Sequence, residues 1–247
     1  MSTFLIRRLE QFSKLSADDK DVLRVAAAQR VRRVAPREDI VHEGDKPRGV
    51  SVFLDGWACR YKTLEDGRRQ IIAYFVPGDM GDLYSFVLRE MDHSIAALTP
   101  LTVAEFSRDT LDEMTARSPR IGQAFWWETL VFASIQREWT VSLGLRSALE
   151  RISHLLCELF FRLRAVGLAD NDTCELPVTQ VDLGETVGLS SVHVNRTLQE
   201  LRASGLITLR DRTLIIHDLD ALQTLALFNP SYLHLGSQEG GRPSRAG

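Results

Sequence analysis

The sequence predicts an α+β protein with a β jelly roll first, a long helix next and a winged helix-turn-helix last. Three observations predict this fold. Short β-type runs over residues 31–106 are separated by glycines every 11 to 12 residues. Apolar residues over 119–143 recur at helical spacing. Residues 176–217 have the pattern of a helix, a tight turn, a second helix and a β-hairpin.

The chain of 247 residues divides into four expected parts, and its hydrophobic fraction of 44% is ample for two cores. These parts are a sensor domain (1–117), a dimerisation helix (118–145), a winged helix-turn-helix (146–220), and a short helix with a disordered tail (221–247). The net charge of −3 excludes a generally basic nucleic-acid coat. Any DNA affinity must therefore come from where the charges lie.

The three cysteines Cys59, Cys157 and Cys174 are far apart and form no Cys-x-x-Cys motif. Their spacing argues against a metal site or a disulfide framework, and favours reduced thiols in a cytoplasmic protein. We expect no membrane span, because no apolar run approaches the ~18 residues that a span needs. The sequence also lacks a nucleophile elbow and a phosphate-cradling glycine loop, so we expect no enzyme, no metal and no cofactor.

Short β-type runs fill the first domain after two predicted helices at residues 4–11 and 16–28. Turn glycines stand at Gly44, Gly56, Gly67 and Gly78. Regular short strands with glycine turns are typical of a β-sandwich or jelly roll. The predicted strands are residues 39–42, 50–54, 58–62, 70–76, 94–98 and 101–106.

The long helix carries apolar residues at heptad spacing, interrupted only by Glu128. This spacing predicts a two-stranded coiled-coil seam between two copies of the chain. The alternative is a helix buried within a monomer. Gly144 is a predicted hinge before the next helix, which begins at Ser147. The predicted seam residues are Ile121, Phe125, Phe132, Ile135 and Trp139.

The last domain has the local signals of a helix-turn-helix. Thr179 and Asp182 form a capping pair at the start of the first helix. Gly184 permits close approach of the second helix, and Gly188 supplies a turn with positive φ. Asp211-Arg212 fits the two-residue turn of a wing. The alternative is a pair of small helices packed in any α/β domain.

This order of domains resembles the cyclic-AMP-receptor-protein/FNR (CRP/FNR) family of bacterial transcription regulators, over about residues 10–220. The resemblance implies a homodimer that binds a near-palindromic site in double-stranded DNA and contacts RNA polymerase. The matching residues are Glu43-Gly44-Asp45, Gly56, Pro77-Gly78-Asp79, Val178-Thr179, Leu183-Gly184, Val187-Gly188, Val192, Val194 and Arg196.

The family's docking places the start of the second helix in the major groove. Arg196 corresponds to the family's base-contacting arginine, which can take O6 and N7 of guanine; the alternative is a surface pair with Glu200. Many members have a glutamate where this chain has Val192, so the half-site should differ. The expected base contacts are Ser191, Val192, His193, Asn195 and Arg196, and the expected phosphate contacts are Thr179, Gln180 and Ser190.

The sensor domain departs from members that bind cyclic nucleotides. Those members carry Gly-Glu, followed about ten residues later by Arg-Ser or Arg-Thr. This chain has Gly81-Asp82 and then His93-Ser94, a degenerate effector pocket, so we expect cyclic AMP to bind poorly. The FNR oxygen sensors use several N-terminal cysteines, whereas the first cysteine here is Cys59.

Other signals and another class of function stay open. His42 or His93 could be offered to a haem, but a lone histidine is more often a surface or hydrogen-bonded residue. An unknown small molecule could act as effector, or activity could be set by protein level, which we favour. The rival function is a ligand-binding module that acts on a partner protein through its winged helix.

Overall fold

The computed structural model describes residues 2–236 apart from Tyr84. Two helices lead into the jelly roll, α1 (Thr3–Glu10) and α2 (Ala17–Gln29). The second begins at Ser16, whose hydroxyl accepts from Asp19 N while Asp19 accepts from Ser16 N. This reciprocal capping box confirms the predicted start of α2.

Two antiparallel four-stranded sheets form the jelly roll, in the orders β1-β8-β3-β6 and β2-β7-β4-β5. All six predicted strands are present, and β1 and β6 are additional. At Gly56 φ is +82°, and a Cβ would lie 2.3 Å from Pro100 O, which explains this glycine. The strands are β1 (Val31–Val34), β2 (Asp39–Val41), β3 (Val50–Asp55), β4 (Ala58–Thr63), β5 (Arg69–Phe75), β6 (Met80–Gly81), β7 (Ser94–Ala97) and β8 (Leu101–Phe106).

Three helices follow the jelly roll, α3 (Arg108–Arg117), α4 (Pro119–Leu145) and α5 (Ala148–Val166). Gly144 lies inside α4, so the predicted hinge is misplaced by two residues. The break falls at Arg146 and Ser147, where Ser147 and Glu150 form the capping box of α5. A cap fixes where a helix begins more strongly than an isolated glycine ends one.

The five predicted seam residues of α4 lie inside the chain's own cores. Ile121 and Phe125 pack near α1 and α2, Phe132 packs on the jelly roll, and Ile135 and Trp139 pack against α5. Their exposed fractions run from 0% to 9%. Their assignment as a dimer interface is therefore wrong, because the jelly roll and α5 already cover this face.

The opposite face of α4 is exposed. Trp126 is 59% exposed, Leu130 57% and Val141 45%, and Arg137 lies between them on the same face. At 100° per residue this stripe is half a turn away from the buried face.

The last domain is a winged helix-turn-helix on a small sheet of order β11-β12-β10-β9. The sequence predicted its two helices and the wing, and the structure adds β9 and β10. The disordered tail was predicted over residues 236–247, of which residues 237–247 lie outside the described residues. The elements are β9 (Ala169–Asp170), β10 (Thr173–Glu175), α6 (Gln180–Val187), α7 (Ser191–Ala203), β11 (Ile207–Arg210), β12 (Thr213–Ile216), α8 (Leu219–Leu225) and a 3₁₀ helix (Pro230–Leu233).

Five charged side chains are buried together where the two domains meet, each at most 1% exposed. We name them the ionic cluster: Arg8, Asp79, Glu128, Glu158 and Arg162. Arg162 Nη2 donates to Asp79 Oδ2 at 2.7 Å, and Arg8 Nε donates to Glu128 Oε2 at 2.9 Å. The cluster joins α1, the turn before β6, α4 and α5.

Glu128 makes the cluster sensitive to pH. Burial raises the pKa of Glu128 from 4.5 to about 7, although Arg8 opposes the shift. The folded protein therefore holds this proton more tightly than the unfolded chain. The resulting stabilisation is complete below about pH 4.5 and is lost as the pH rises through about 7.

We predict that Glu128→Gln flattens the dependence of stability on pH, because glutamine mimics the protonated carboxyl group. Between pH 5 and 8 the wild type should lose about 3 kcal/mol more of its free energy of unfolding than the variant. Urea unfolding at several pH values measures this loss. Glu138→Gln, on the same helix, is the control, and identical profiles for Glu128→Gln and wild type would contradict the assignment.

Candidate nucleic-acid interface

Side-chain caps fix the start of both helices of the helix-turn-helix. Thr179 Oγ1 accepts from Asp182 N at 3.1 Å, and Asp182 Oδ2 accepts from Thr179 N at 2.9 Å. Ser190 Oγ accepts from His193 N at 3.3 Å and caps α7. Thr179 and Ser190 are both exposed, as a contact with phosphate requires.

Two glycines set the angle between α6 and α7. Gly188 ends α6 with φ +68°. A Cβ on Gly184 would lie 2.5 Å from Leu189 O, so any side chain there would push the turn away. The sequence predicts one apolar set that joins the two helices, and Leu189 of this set is half-buried in the turn. The other members are each at most 4% exposed: Leu183, Val187, Val194, Leu198 and Leu201.

The outer face of α7 presents the predicted base-contacting residues together. Ser191, Val192, Asn195 and Arg196 are exposed, Val192 by 79%, and His193 is half-buried. Polar groups are thus available beside one exposed apolar side chain. This combination suits base edges that offer both hydrogen-bonding atoms and a thymine methyl group.

Hydrogen bonds orient three of these side chains. Arg196 Nη2 lies 3.1 Å from His193 Nε2, and Gln180 Nε2 donates to Asn195 Oδ1 at 3.4 Å. The guanidinium of Arg196 is therefore paired with His193 on the outer face of α7 rather than with Glu200. We name this face, formed by residues 191, 192, 193, 195 and 196, the reading face. Gln180, predicted to contact phosphate, also connects the start of α6 to α7 through this bond.

Arginines of the jelly roll neutralise two acidic residues of α6. Arg37 donates to both oxygens of Asp182, at 2.8 and 3.2 Å, and Arg69 donates to Glu185 at 3.2 Å. Burial alone would raise the pKa of Asp182, but the hydrogen bonds from Arg37 and Thr179 lower it overall. Residues 177–217 contain four arginines and four acidic residues, so this segment has no net positive charge to attract DNA. The ion pairs with Arg37 and Arg69 offset two of the four acidic charges.

The wing carries basic residues that sequence reasoning did not select. Asp211 and Arg212 take φ values of +50° and +63°, and they form the expected two-residue turn between β11 and β12. Arg210 and Arg212 are exposed beside this turn. Their position at the tip of a hairpin was the only available signal, since arginines at a tip can reach a phosphate backbone.

A second feature is a cavity of about 560 Å³ in the jelly roll. Its lining includes Gly81 and Asp82, as predicted. His93 lies behind Asp82, with Nε2 at 2.9 Å from Asp82 Oδ2 and Nδ1 at 2.7 Å from Asp92 Oδ1. Ser94 Oγ is used elsewhere, since it accepts from Glu43 N at 3.0 Å.

Arg60 of β4 is a further charged residue in contact with Asp82. The sequence analysis did not identify it as part of the pocket. Its guanidinium pairs with Asp82, and both side chains are 14% exposed. Burial alone would raise the pKa of Asp82, but Arg60 and His93 hold it below its usual value. The carboxylate of Asp82 thus stays ionised and pairs with the guanidinium of Arg60, which is then not available to an anionic ligand.

The cysteines have the environment of core residues. All three are buried, and burial raises the pKa of each thiol to about 12. Reactive cysteines need the opposite shift. Among the described residues, no cluster of histidine, cysteine and carboxylate side chains could hold a metal ion. Within the same part of the chain, no helix is long and apolar enough to cross a membrane.

An antiparallel jelly roll, a long helix and a winged helix with an exposed polar face define a regulator that binds DNA. Residues 31–118 match the family model of the cyclic nucleotide-binding domain, and residues 150–225 match that of the Crp-like helix-turn-helix domain. The chain belongs to the CRP/FNR family of transcription regulators.

Known relatives agree with this family. The chain is 30% identical over 199 residues to the transcriptional activatory protein AadR of Rhodopseudomonas palustris, covering 78% of each chain. It is 28% identical over 206 residues to the transcriptional activator protein FnrL of Cereibacter sphaeroides, covering 81% of each. The structure of FixK2 from Bradyrhizobium japonicum superposes with a TM-score of 0.71 at 26% identity, over 79% of this chain and 96% of that one.

The cavity does not fit the cyclic nucleotide that its domain family implies. A cyclic phosphate is best held by a free guanidinium, but the guanidinium beside Asp82, that of Arg60, is paired with this carboxylate. Four carboxylates, those of Asp39, Asp45, Asp82 and Glu105, line the cavity, against the cations of Arg32, Lys46 and Arg48. A phosphate placed beside Asp82 would meet a like charge.

We predict that titration of the protein with cyclic AMP in a calorimeter gives no binding heat below millimolar concentrations. The reason is that Asp82 occupies the guanidinium that a phosphate would need. Asp82→Ala should raise the affinity for cyclic AMP, because the substitution removes the carboxylate that pairs with Arg60. Micromolar affinity of the wild type for cyclic AMP would contradict the assignment of the pocket as degenerate.

Proposed function

We propose that the protein acts in the cytoplasm as a homodimer that binds a near-palindromic promoter site and activates transcription through contact with RNA polymerase. In this proposal residues 1–117 form the sensor domain, 118–145 the dimerisation helix and 146–220 the DNA-binding domain. The observation that supports this proposal most strongly is the exposed reading face of α7. Activation rests on the names of relatives such as FnrL and AadR.

The proposed reading of DNA divides the residues by chemistry. Arg196 takes guanine O6 and N7, and Val192 packs on a thymine methyl group. Ser191, His193 and Asn195 complete the base contacts. Thr179, Gln180 and Ser190 contact phosphate near the two helix starts, where backbone N–H groups and the helix dipole favour anions.

The proposed dimer forms through the exposed stripe of α4 and not through the buried heptad residues. Leu130 and Val141 lie about three turns apart along it, both about half exposed. Two such helices packed side by side would bury these side chains against each other.

The proposed regulator works without cyclic AMP. Because Asp82, Arg60 and His93 satisfy one another, the pocket wall is held in place by groups of the chain itself. Activity would then follow the amount of protein in the cell, or a small molecule that is not a nucleotide. We favour the first.

We predict that Arg196→Ala costs about 1–3 kcal/mol of binding and relaxes specificity at one base pair of each half-site. The reason is the loss of two hydrogen bonds to guanine. Binding selections with both proteins on random DNA measure this effect, with Arg24→Ala, an exposed arginine of α2, as the control.

Two results would contradict the role of Arg196. Equal weakening on every sequence would reassign it to a phosphate. Unchanged DNA binding with lost function in cells would favour the rival, a module that acts on a partner protein.

We predict that Val141→Glu separates the dimer into monomers. Two carboxylates buried at the interface cost about 3 kcal/mol, and a pair with Arg137 one turn away on each helix recovers only about 0.5 kcal/mol. The dimer Kd should therefore rise at least about tenfold. Sedimentation velocity over a range of concentrations measures this constant. Val25→Glu is the matched control, since Val25 is 63% exposed on α2. A Val141→Glu protein that stays dimeric would exclude this face as the interface.

A further inference from the structure

The chain continues past α8 and folds back across the junction between the domains. The Crp-like match ends at residue 225, and we name residues 226–236 the C-terminal strap. Arg146 Nη2, at the junction of α4 and α5, donates to Leu227 O at 3.3 Å. At the far end, Gly236 N donates to Gln11 Oε1 at 3.2 Å, beside α1. The strap thus runs from the DNA-binding domain to the first helix of the chain.

Apolar side chains anchor the strap. Ala226 and Leu233 are 0% exposed and Phe228 is 8% exposed, all in the same core as Trp139 of α4 and most of α5. His154 of α5, 2% exposed, packs against two strap rings, with its own ring centroid 5.0 Å from that of Phe228 and 5.9 Å from that of Tyr232. Burial lowers the pKa of His154 to about 3, so the imidazole is neutral in this aromatic stack.

One hydrogen bond ties the strap to the ionic cluster. Tyr232 donates to Glu158 Oε2 at 2.8 Å, and Trp139 Nε1 donates to the same oxygen at 3.0 Å. A single buried carboxylate oxygen therefore joins the strap, α4 and α5. Loss of the tyrosine hydroxyl would leave this charge buried with one donor fewer, which is costly in a core.

The junction that the strap covers is short. Only Arg146 and Ser147 separate α4 from α5, and Arg146 has extended backbone angles (φ −79°, ψ 144°). Rotation at these two residues would swing α5, and the winged helix with it, around α4. Contacts of the strap with both sides of the junction oppose this rotation. The ring of Trp127 in α4 lies 5.5 Å from that of His234, and Glu158 of α5 accepts a hydrogen bond from Tyr232.

We propose that the C-terminal strap holds the winged helix at one angle to α4 and so preorganises both copies of α7 for a two-half-site operator. The inference rests on the proposed dimeric DNA binding. A regulator held in this way loses little orientational freedom on binding DNA, which raises its affinity. The strap then supplies the order that an effector would otherwise have to impose.

The test uses the full chain with Tyr232→Phe and with the double change Phe228→Ala and Tyr232→Phe. Tyr61→Phe is the matched control, because its hydroxyl also donates to a carboxylate, that of Asp39, but within the jelly roll. Hydrogen exchange over residues 142–152 reports the junction. Binding to a palindrome and to a single half-site reports preorganisation.

The expected result is that exchange at the junction rises about tenfold in the double variant, and by less in Tyr232→Phe. Affinity for the palindrome falls about tenfold, whereas affinity for the half-site is unchanged. Unchanged exchange overturns the proposal, and so does a palindrome affinity that rises or that falls equally with the half-site. A wild type that binds no DNA contradicts the proposed function instead, while the exchange result still decides whether the strap holds the junction.

Discussion

The ion pair between Arg162 of α5 and Asp79 of the jelly roll is the contact on which the arrangement of the domains depends. Arg162 Nη2 donates to Asp79 Oδ2 at 2.7 Å and to Tyr74 O at 2.8 Å. Both side chains are only 1% exposed. Removing one partner of such a buried pair costs about 3–5 kcal/mol, because the other charge is left without compensation. Any motion that moves α5 away from the jelly roll must therefore break this buried ion pair, which opposes separation of the two domains.

The same contact determines that α6 packs against β5 of the jelly roll. Tyr74, whose carbonyl group accepts from Arg162, places its hydroxyl 2.6 Å from Thr186 Oγ1, and Gln70 donates to Thr186 O at 2.9 Å. Arg37 and Arg69 then reach the carboxylates of α6. The same docking that buries α6 on β5 thus neutralises the acidic side of the helix-turn-helix. The outer face of α7 stays exposed, and it keeps Arg196 for DNA.

Features set by neighbouring residues could be predicted from the sequence. The cap at Thr179, the turn at Gly188 and the wing at Asp211-Arg212 each depend on backbone conformation within a few residues, and each is present. The heptad spacing of α4 correctly indicated an apolar face. It could not indicate what covers that face, since the jelly roll and a second copy would select the same residues.

Features set by distant residues could not be predicted. Arg8 and Glu128 are 120 positions apart, and Arg37 and Asp182 are 145 apart. No local pattern pairs such residues. Arg60 was missed for the same reason, although Asp82 and His93 were both selected. The strap was missed because its aromatic residues, Phe228 and Tyr232, follow the last periodic helix and show no period of their own.

Selection of genomic fragments with purified, ligand-free protein at about 0.1–0.15 M salt tests the central claim most directly, since binding to DNA depends steeply on salt. The account predicts recovery of one palindrome whose half-sites lie one helical turn apart, as expected for a preordered dimer. Failure to enrich any sequence from ligand-free protein, followed by enrichment once cell extract is added, would contradict it and show that an effector is required.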